Sequence, residues 1–128
     1  MDLLPPCNDA CPAGENIQAW LAHAQAGDYE AAWRELVSNN PLPAVHGRVC
    51  YHPCEDACNR GLVDEPINIR ALKRFITDQV YAEPRQPVES AAVTKKKPVA
   101  IIGAGFTGLT AAHYRLGHSW LQLGTGGP

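Results

Sequence analysis

The chain has 128 residues, a net charge of −2, 45% hydrophobic residues and five cysteines. That length suits one small domain or a domain with a fragment attached, and the near-neutral charge argues against a nucleic-acid or membrane surface as partner. No stretch approaches the roughly 18 apolar residues of a membrane span, and Met1–Pro6 lacks the basic and apolar regions of a secretory signal.

Residues 7–16 crowd Cys, Pro, Gly and Asn together and read as a loop. From Ile17 the pattern turns helical, with Ile17, Trp20, Leu21 and Ala24 at i, i+3, i+4 and i+7. Gly27 suits the end of that helix, and Asp28 suits the N-cap of the next. There Tyr29, Ala32, Trp33, Leu36 and Val37 make one apolar face, and Asn39-Asn40-Pro41 stops the helix. The two helices form a hairpin whose tryptophans, Trp20 and Trp33, read as core rather than ligand contacts. Residues 41–65 are rich in turn formers. Pro66 is placed where a first helical turn tolerates it. Ile69, Leu72, Ile76 and Val80 then line a helix running to about Tyr81. Residues 83–98 form a linker with prolines and the solvated run Lys95-Lys96-Lys97. Val99-Ala100-Ile101-Ile102 reads as a short strand entering Gly103-Ala104-Gly105-Phe106-Thr107-Gly108, with a helix beginning at Leu109. No internal repeat is present, and no spacing of Ser, His and Asp suggests a catalytic triad.

The cysteines fall in two groups, Cys7/Cys11 and Cys50/Cys54/Cys58, each neighbouring pair spaced C-x3-C, and Cys11 is followed by Pro12. The expected compartment is a reducing cytoplasm, where such groups read as metal or redox sites rather than disulfides. Thiolates bind soft metals and iron–sulfur centres because sulfur shares charge with the ion. Zinc more often takes pairs from C-x2-C or C-x4-C turns, so the x3 gaps favour a cluster, and a Cys-Pro step is a habit of cluster loops. The helical hairpin between Cys11 and Cys50 would return the chain to the same centre. An all-cysteine 4Fe–4S cluster takes four thiolates; five complete at most one, with one to spare. His46 and His52 lie beside the second group as further candidate ligands, or as ordinary hydrogen-bonding loop histidines.

Three segments carry a resemblance: Cys7-Asn8-Asp9-Ala10-Cys11-Pro12-Ala13-Gly14; Asn40 to Gly61, with G-R-V-C-x3-C-E-x2-C at its centre; and Asp64-Glu65-Pro66-Ile67-Asn68-Ile69. Over about residues 7–81 the chain resembles the N-terminal domain of the glutamate synthase small subunit family, and dihydropyrimidine dehydrogenase carries a similar domain. The resemblance implies a mainly α fold, an α-helical ferredoxin-like domain over residues 1–82. It also implies two 4Fe–4S clusters that pass electrons between a flavin half and a partner subunit. By position, Cys11, Cys50 and Cys54 resemble the ligands of one cluster, and Cys7 and Cys58 those of the other. In relatives a Gln or Glu on the following helix completes the first cluster, and a C-x2-C pair upstream of Cys7 completes the second. The matching stretch here is Lys73-Arg74, whose charged groups cannot ligate iron, and no such pair precedes Cys7. Both sites are short of the family pattern.

A strand, G-x-G-x-x-G and a helix form a dinucleotide-binding fingerprint, in which backbone and helix N-terminus approach a pyrophosphate. Gly103, Gly105 and Gly108 are the candidate cofactor-binding residues, and V-A-I-I-G-A-G-x-x-G-L-x-A-A resembles the FAD-binding start of the same family. The fingerprint needs an acidic residue about 20 positions on for the ribose, and no Asp or Glu follows Glu89. Residues 99–128 are therefore expected to be an incomplete Rossmann-type βα unit, ended by a frame change or truncation near residues 113–119. Residues from about 83 onward are expected to be poorly ordered and not to bind FAD, although intact relatives do. The leading expectation is an iron–sulfur electron-transfer domain working with a flavin-containing or large oxidoreductase subunit. The alternatives are a cluster-free interaction domain with reduced cysteines, and a zinc-binding domain.

Overall fold

A computed structural model of the chain describes residues 4–82 and 99–115. Contacts divide the chain into two units, Met1–Pro84 and Arg85–Pro128. The regular elements of its described part are all helices, and no strand occurs among the described residues. Its elements are α1 (Pro6–Asp9), α2 (Ile17–Gln25), α3 (Tyr29–Asn39), α4 (Pro43–Val49), α5 (Pro53–Asp56), a 3-10 turn at Asn59–Leu62, and α6 (Ile69–Ala82). Short helices therefore replace much of what the turn-forming composition of residues 7–16 and 41–65 suggested. Their starts share one cause: α1, α4 and α5 each begin with a proline, which has no N–H to leave unpaired in a first turn.

The α2–α3 hairpin forms as its periodicity predicts. Gly27 N donates to Ala24 O at 3.0 Å and Asp28 N to His23 O at 3.0 Å, closing α2 in a Schellman arrangement. Asp28 Oδ1 accepts from Ala31 N at 2.9 Å and caps α3. Asn40, held extended ahead of Pro41, ends α3. Ile17, Trp20, Ala32, Trp33 and Leu36 are buried, with Leu21, Ala24, Tyr29 and Val37 packed against them. Both tryptophans are thus core residues. Tyr29 meets Phe75 edge-on at 5.4 Å, joining the hairpin to α6.

α6 carries the core across the domain, packing on α3, α4 and α5. Its buried residues are Ile69, Lys73, Ile76, Thr77 and Val80. Leu72, expected on this face, is 37% exposed, and Lys73 takes the inner position. α4 packs tightly on α6 because of Gly47. A Cβ there would stand 3.0 Å from both the backbone N and Cα of Arg74, tighter than a side chain tolerates without a shift. Arg48 Nη2 donates to Asp78 Oδ1 at 2.7 Å at the rim of the same contact.

In the second unit, Val99–Ile102 has no regular secondary structure. A strand needs a ladder partner for its N–H and C=O groups, and none is present among the described residues. The helix after the glycine loop does form, as α7 (Phe106–Arg115), and none of its residues is buried. The linker 83–98 and the tail beyond Arg115 lie outside the described residues, as do the expectations placed on them.

Candidate metal centre

Four short elements present the cysteines. Cys7 lies in α1 and Cys11 just beyond it; Cys50 ends α4, Cys54 lies in α5, and Cys58 precedes the 3-10 turn. α1 packs against α5, so the fold brings together the two groups that the hairpin separates in sequence. All five are free thiols. Cys54 is buried in the core cluster, and Cys7 and Cys11 pack against it. Burial pushes the Cys54 thiol up to about 11; Cys11, Glu55 and Cys50 push the same way, and Lys73 opposes them. Burial also raises Cys7, helped by Cys58 and Cys11 and opposed by backbone hydrogen bonds. Cys11 and Cys50 thus both act on Cys54, and Cys7, on which Cys58 and Cys11 act, lines with Cys58 a cavity of about 440 Å³ together with Leu4, Ile67 and Ile69.

A tight loop spaces Cys50 from Cys54. His52 between them is left-handed, at φ 53° and ψ 54°, a conformation that costs an L-residue roughly 1–2 kcal/mol. Its N–H donates to Cys50 Sγ at 3.3 Å. Glu55 braces the loop: Oε1 accepts from Arg70 N at 2.7 Å in the first turn of α6, and Oε2 lies 3.1 Å from His52 Nδ1, without the alignment of a hydrogen bond. Arg70 Nη1 donates to Cys50 O at 3.1 Å. Glu55 and Arg70 thus tie the cysteine loop to α6.

Behind the cysteines lies a buried polar group that periodicity and motif reading missed. Glu15 Oε1 accepts from Lys73 Nζ at 2.6 Å and from Asn40 Nδ2 at 2.6 Å. Asn40 Oδ1 accepts from His46 Nδ1 at 2.7 Å and from Leu42 N at 3.2 Å. Because the Asn40 oxygen can only accept, His46 carries its proton on Nδ1. Glu15 and Lys73 are 2% and 6% exposed, deep for an ion pair. The available signal was register: Lys73 falls at i+4 from Ile69 and three before Ile76, on the apolar face of α6. His46 is thereby engaged in this network, and His52 serves the cysteine loop.

The donor set suits an iron–sulfur group. The thiols form no disulfide and are partly or largely buried, and a cationic centre supplies the charge that a buried thiolate lacks. Among the described residues no three His, Cys, Asp or Glu side chains converge tightly enough to hold a single metal ion.

Residues 3–85 match the family described as dihydropyrimidine dehydrogenase domain II, 4Fe-4S cluster. The chain belongs to that family. It is 40% identical to the NADP(+)-dependent formate dehydrogenase subunit beta of Moorella thermoacetica, over 90% of this chain and 19% of that protein. It is likewise 40% identical to the NADPH-Fe(3+) oxidoreductase subunit beta of Geobacter sulfurreducens, over 85% of this chain and 16% of that protein. The glutamate synthase [NADPH] small chain of Mycobacterium tuberculosis is 34% identical, over 91% of this chain and 24% of that protein. The chain thus spans less than a quarter of the length of each of these curated relatives. The family bears out the resemblance read from the cysteine motifs, and the mainly helical fold agrees with it. Among the described residues no helix is long and apolar enough to cross a membrane.

In the second unit, Gly103 adopts φ 105°, and a Cβ on Gly108 would collide with the Gly103 carbonyl oxygen. The loop between them is therefore tight in the way the glycine spacing suggested, while the strand expected to lead into it is absent from the described residues.

Proposed function

We propose that this chain is an iron–sulfur electron-transfer domain of an NAD(P)H-linked oxidoreductase, with one 4Fe–4S cluster drawn from Cys7, Cys11, Cys50, Cys54 and Cys58. The observation that supports the reading is the family match over residues 3–85, together with the packing of α1, which bears Cys7, against α5, which bears Cys54. Cys11, Cys50 and Cys54 would hold the centre, with Cys7 or Cys58 as the remaining thiolate donor. When bound, the cluster supplies one-electron storage. The protein's share is to desolvate the thiolates, to donate the His52 N–H to Cys50 Sγ, and to hold the loop rigid through Glu55 and Arg70.

The family match and the C-x3-C spacing support a cluster over mononuclear zinc, which more often takes pairs from C-x2-C or C-x4-C turns. The names of the relatives support a partner within a larger NAD(P)H oxidoreductase, and we assign that partner as a flavin-containing subunit or domain. Residues 1–82 are the iron–sulfur domain. Gly103, Gly105 and Gly108 are the start of an FAD-binding segment that does not hold the flavin by itself.

Iron and acid-labile sulfide, measured on anaerobically purified protein with a visible spectrum, test this. About four of each per chain is the expected result. A folded helical protein without iron would overturn it.

A further inference from the structure

Cys50 receives a hydrogen bond on its sulfur, from the His52 N–H at 3.3 Å. The turn that delivers this donor is held in an unfavourable shape. His52, at φ 53° and ψ 54°, is the one residue other than glycine with a positive φ among the described residues. It also precedes Pro53, which biases it toward extended backbone. Such a conformation persists only where the surroundings fix it. Arg70 closes a ring around the turn: its Nη1 donates to Cys50 O at 3.1 Å, and its backbone N–H donates to Glu55 Oε1 at 2.7 Å. Glu55 in turn holds His52, by donating from Glu55 N to His52 O at 2.9 Å and by placing Oε2 3.1 Å from His52 Nδ1. The Glu55 side chain is 16% exposed, so water competes little for these contacts.

Accepting an electron adds one negative charge to a centre held by Cys11, Cys50 and Cys54, and part of it falls on the ligand sulfurs. An N–H aimed at a sulfur stabilises that charge, which is why hydrogen bonds to sulfur help to set the reduction potential of such centres. Residues that keep the donor in place then act on the potential without touching the centre.

We propose that Glu55, joined to the first turn of α6, is a positioning residue that keeps the His52 N–H on Cys50 Sγ and so raises the reduction potential of the centre that Cys50 holds. This rests on the cluster reading above. Glu55 ligates nothing in this role; its carboxylate fixes the turn, and the turn aims the donor.

The test compares the full chain with Glu55→Ala and Glu55→Gln, each purified anaerobically, with iron content measured first on all three. Both variants remove the same negative charge. Glu55→Gln keeps a side-chain oxygen for Arg70 N and Glu55→Ala does not, so the difference between the two reports the link to α6 and not the charge. The chains are titrated with redox dyes while the visible and electron paramagnetic resonance signals are followed. At a fixed ambient potential, the reduced-to-oxidised ratio is expected to be about tenfold lower in Glu55→Ala than in Glu55→Gln, a shift of about 59 mV for one electron. On the iron-free chains, exchange of the His52 amide, followed by nuclear magnetic resonance, is expected to quicken in Glu55→Ala and to stay near the parent rate in Glu55→Gln. Iron-loaded variants whose ratios agree within about twofold would overturn the role of Glu55 and leave the cluster reading standing. Equal His52 exchange in all three chains would overturn that role too, whether or not Glu55→Ala takes up iron. A parent chain without iron would overturn both.

Discussion

Removing Lys73 alone would strand the Glu15 carboxylate in the core with Asn40 as its neighbouring donor. Glu15 Oε2 already has no hydrogen-bond partner, so little is left to offset the lost ammonium. Breaking a buried pair from one side costs about 3–5 kcal/mol, whereas replacing both partners is often close to neutral. Lys73→Met is therefore expected to lower the unfolding free energy by about that amount. Glu15→Gln/Lys73→Leu is expected to restore most of it, as measured by urea titration. If the single and double variants unfold at the same urea concentration, the pair is not a coupled unit. Gly47 is sensitive for a different reason. Gly47→Ala would press a methyl against the Arg74 backbone, and overpacking of this kind typically costs about 1–3 kcal/mol. The expected readout is a lower urea midpoint with an unchanged slope; no change would mean that α4 yields freely.

At the scale of elements, α6 organises the site. It packs against α3, α4 and α5, and its first turn is tied to the cysteine loop by Glu55. Because Glu55 Oε1 accepts from Arg70 N, Glu55 acts as a cap supplied from outside the helix. Losing a side-chain cap costs about 0.5–2 kcal/mol, so Glu55→Ala is expected to destabilise the domain by about 1 kcal/mol. Amide hydrogen exchange should quicken in the first turn of α6 and at residues 50–54 and stay unchanged in the α2–α3 hairpin. Uniform quickening across the domain would mean that Glu55 supports the fold as a whole rather than this junction. The Arg48–Asp78 pair also joins α4 to α6, but both side chains are 43% exposed, where such pairs contribute little.

For the molecule as a whole, acid sensitivity should begin at His46. Burial, with Lys73 nearby, holds the His46 imidazole below its ordinary value of 6.5, and Glu15 partly opposes this. The unfolded chain then binds a proton that the folded one refuses, so stability rises with pH across that window. The contribution is full above the ordinary imidazole value and is lost as pH falls from there through the depressed folded value. Asp78, held below its ordinary value of 3.8 by Arg48, follows at lower pH, its contribution being lost as pH falls from that value through the depressed one. In urea titrations of the apo chain, His46→Gln is expected to flatten the first step and leave the second. A variant with the parent's full pH dependence would remove His46 as its cause.

Much of this was readable without coordinates. Apolar spacing marked the α2–α3 hairpin and most of the α6 face, Asp28 marked a cap, and the cysteine motifs marked the family. Those features are local: a helix's apolar phase and a cap's reach of three residues are written in consecutive positions. The rest depended on residues far apart in the chain. Glu15 meets Lys73 across the domain, Glu55 caps a helix fifteen residues away, and Gly47 matters only because the Arg74 backbone lies against it. By itself the sequence determined a helical, cysteine-bearing domain and the family to which it belongs. The tertiary structure decided that α1 packs against α5, that Lys73 is buried against Glu15, and that Lys73 rather than Leu72 faces inward. The physical reason is that electrostatic and steric contacts act at a few ångströms through space, and only packing sets those distances.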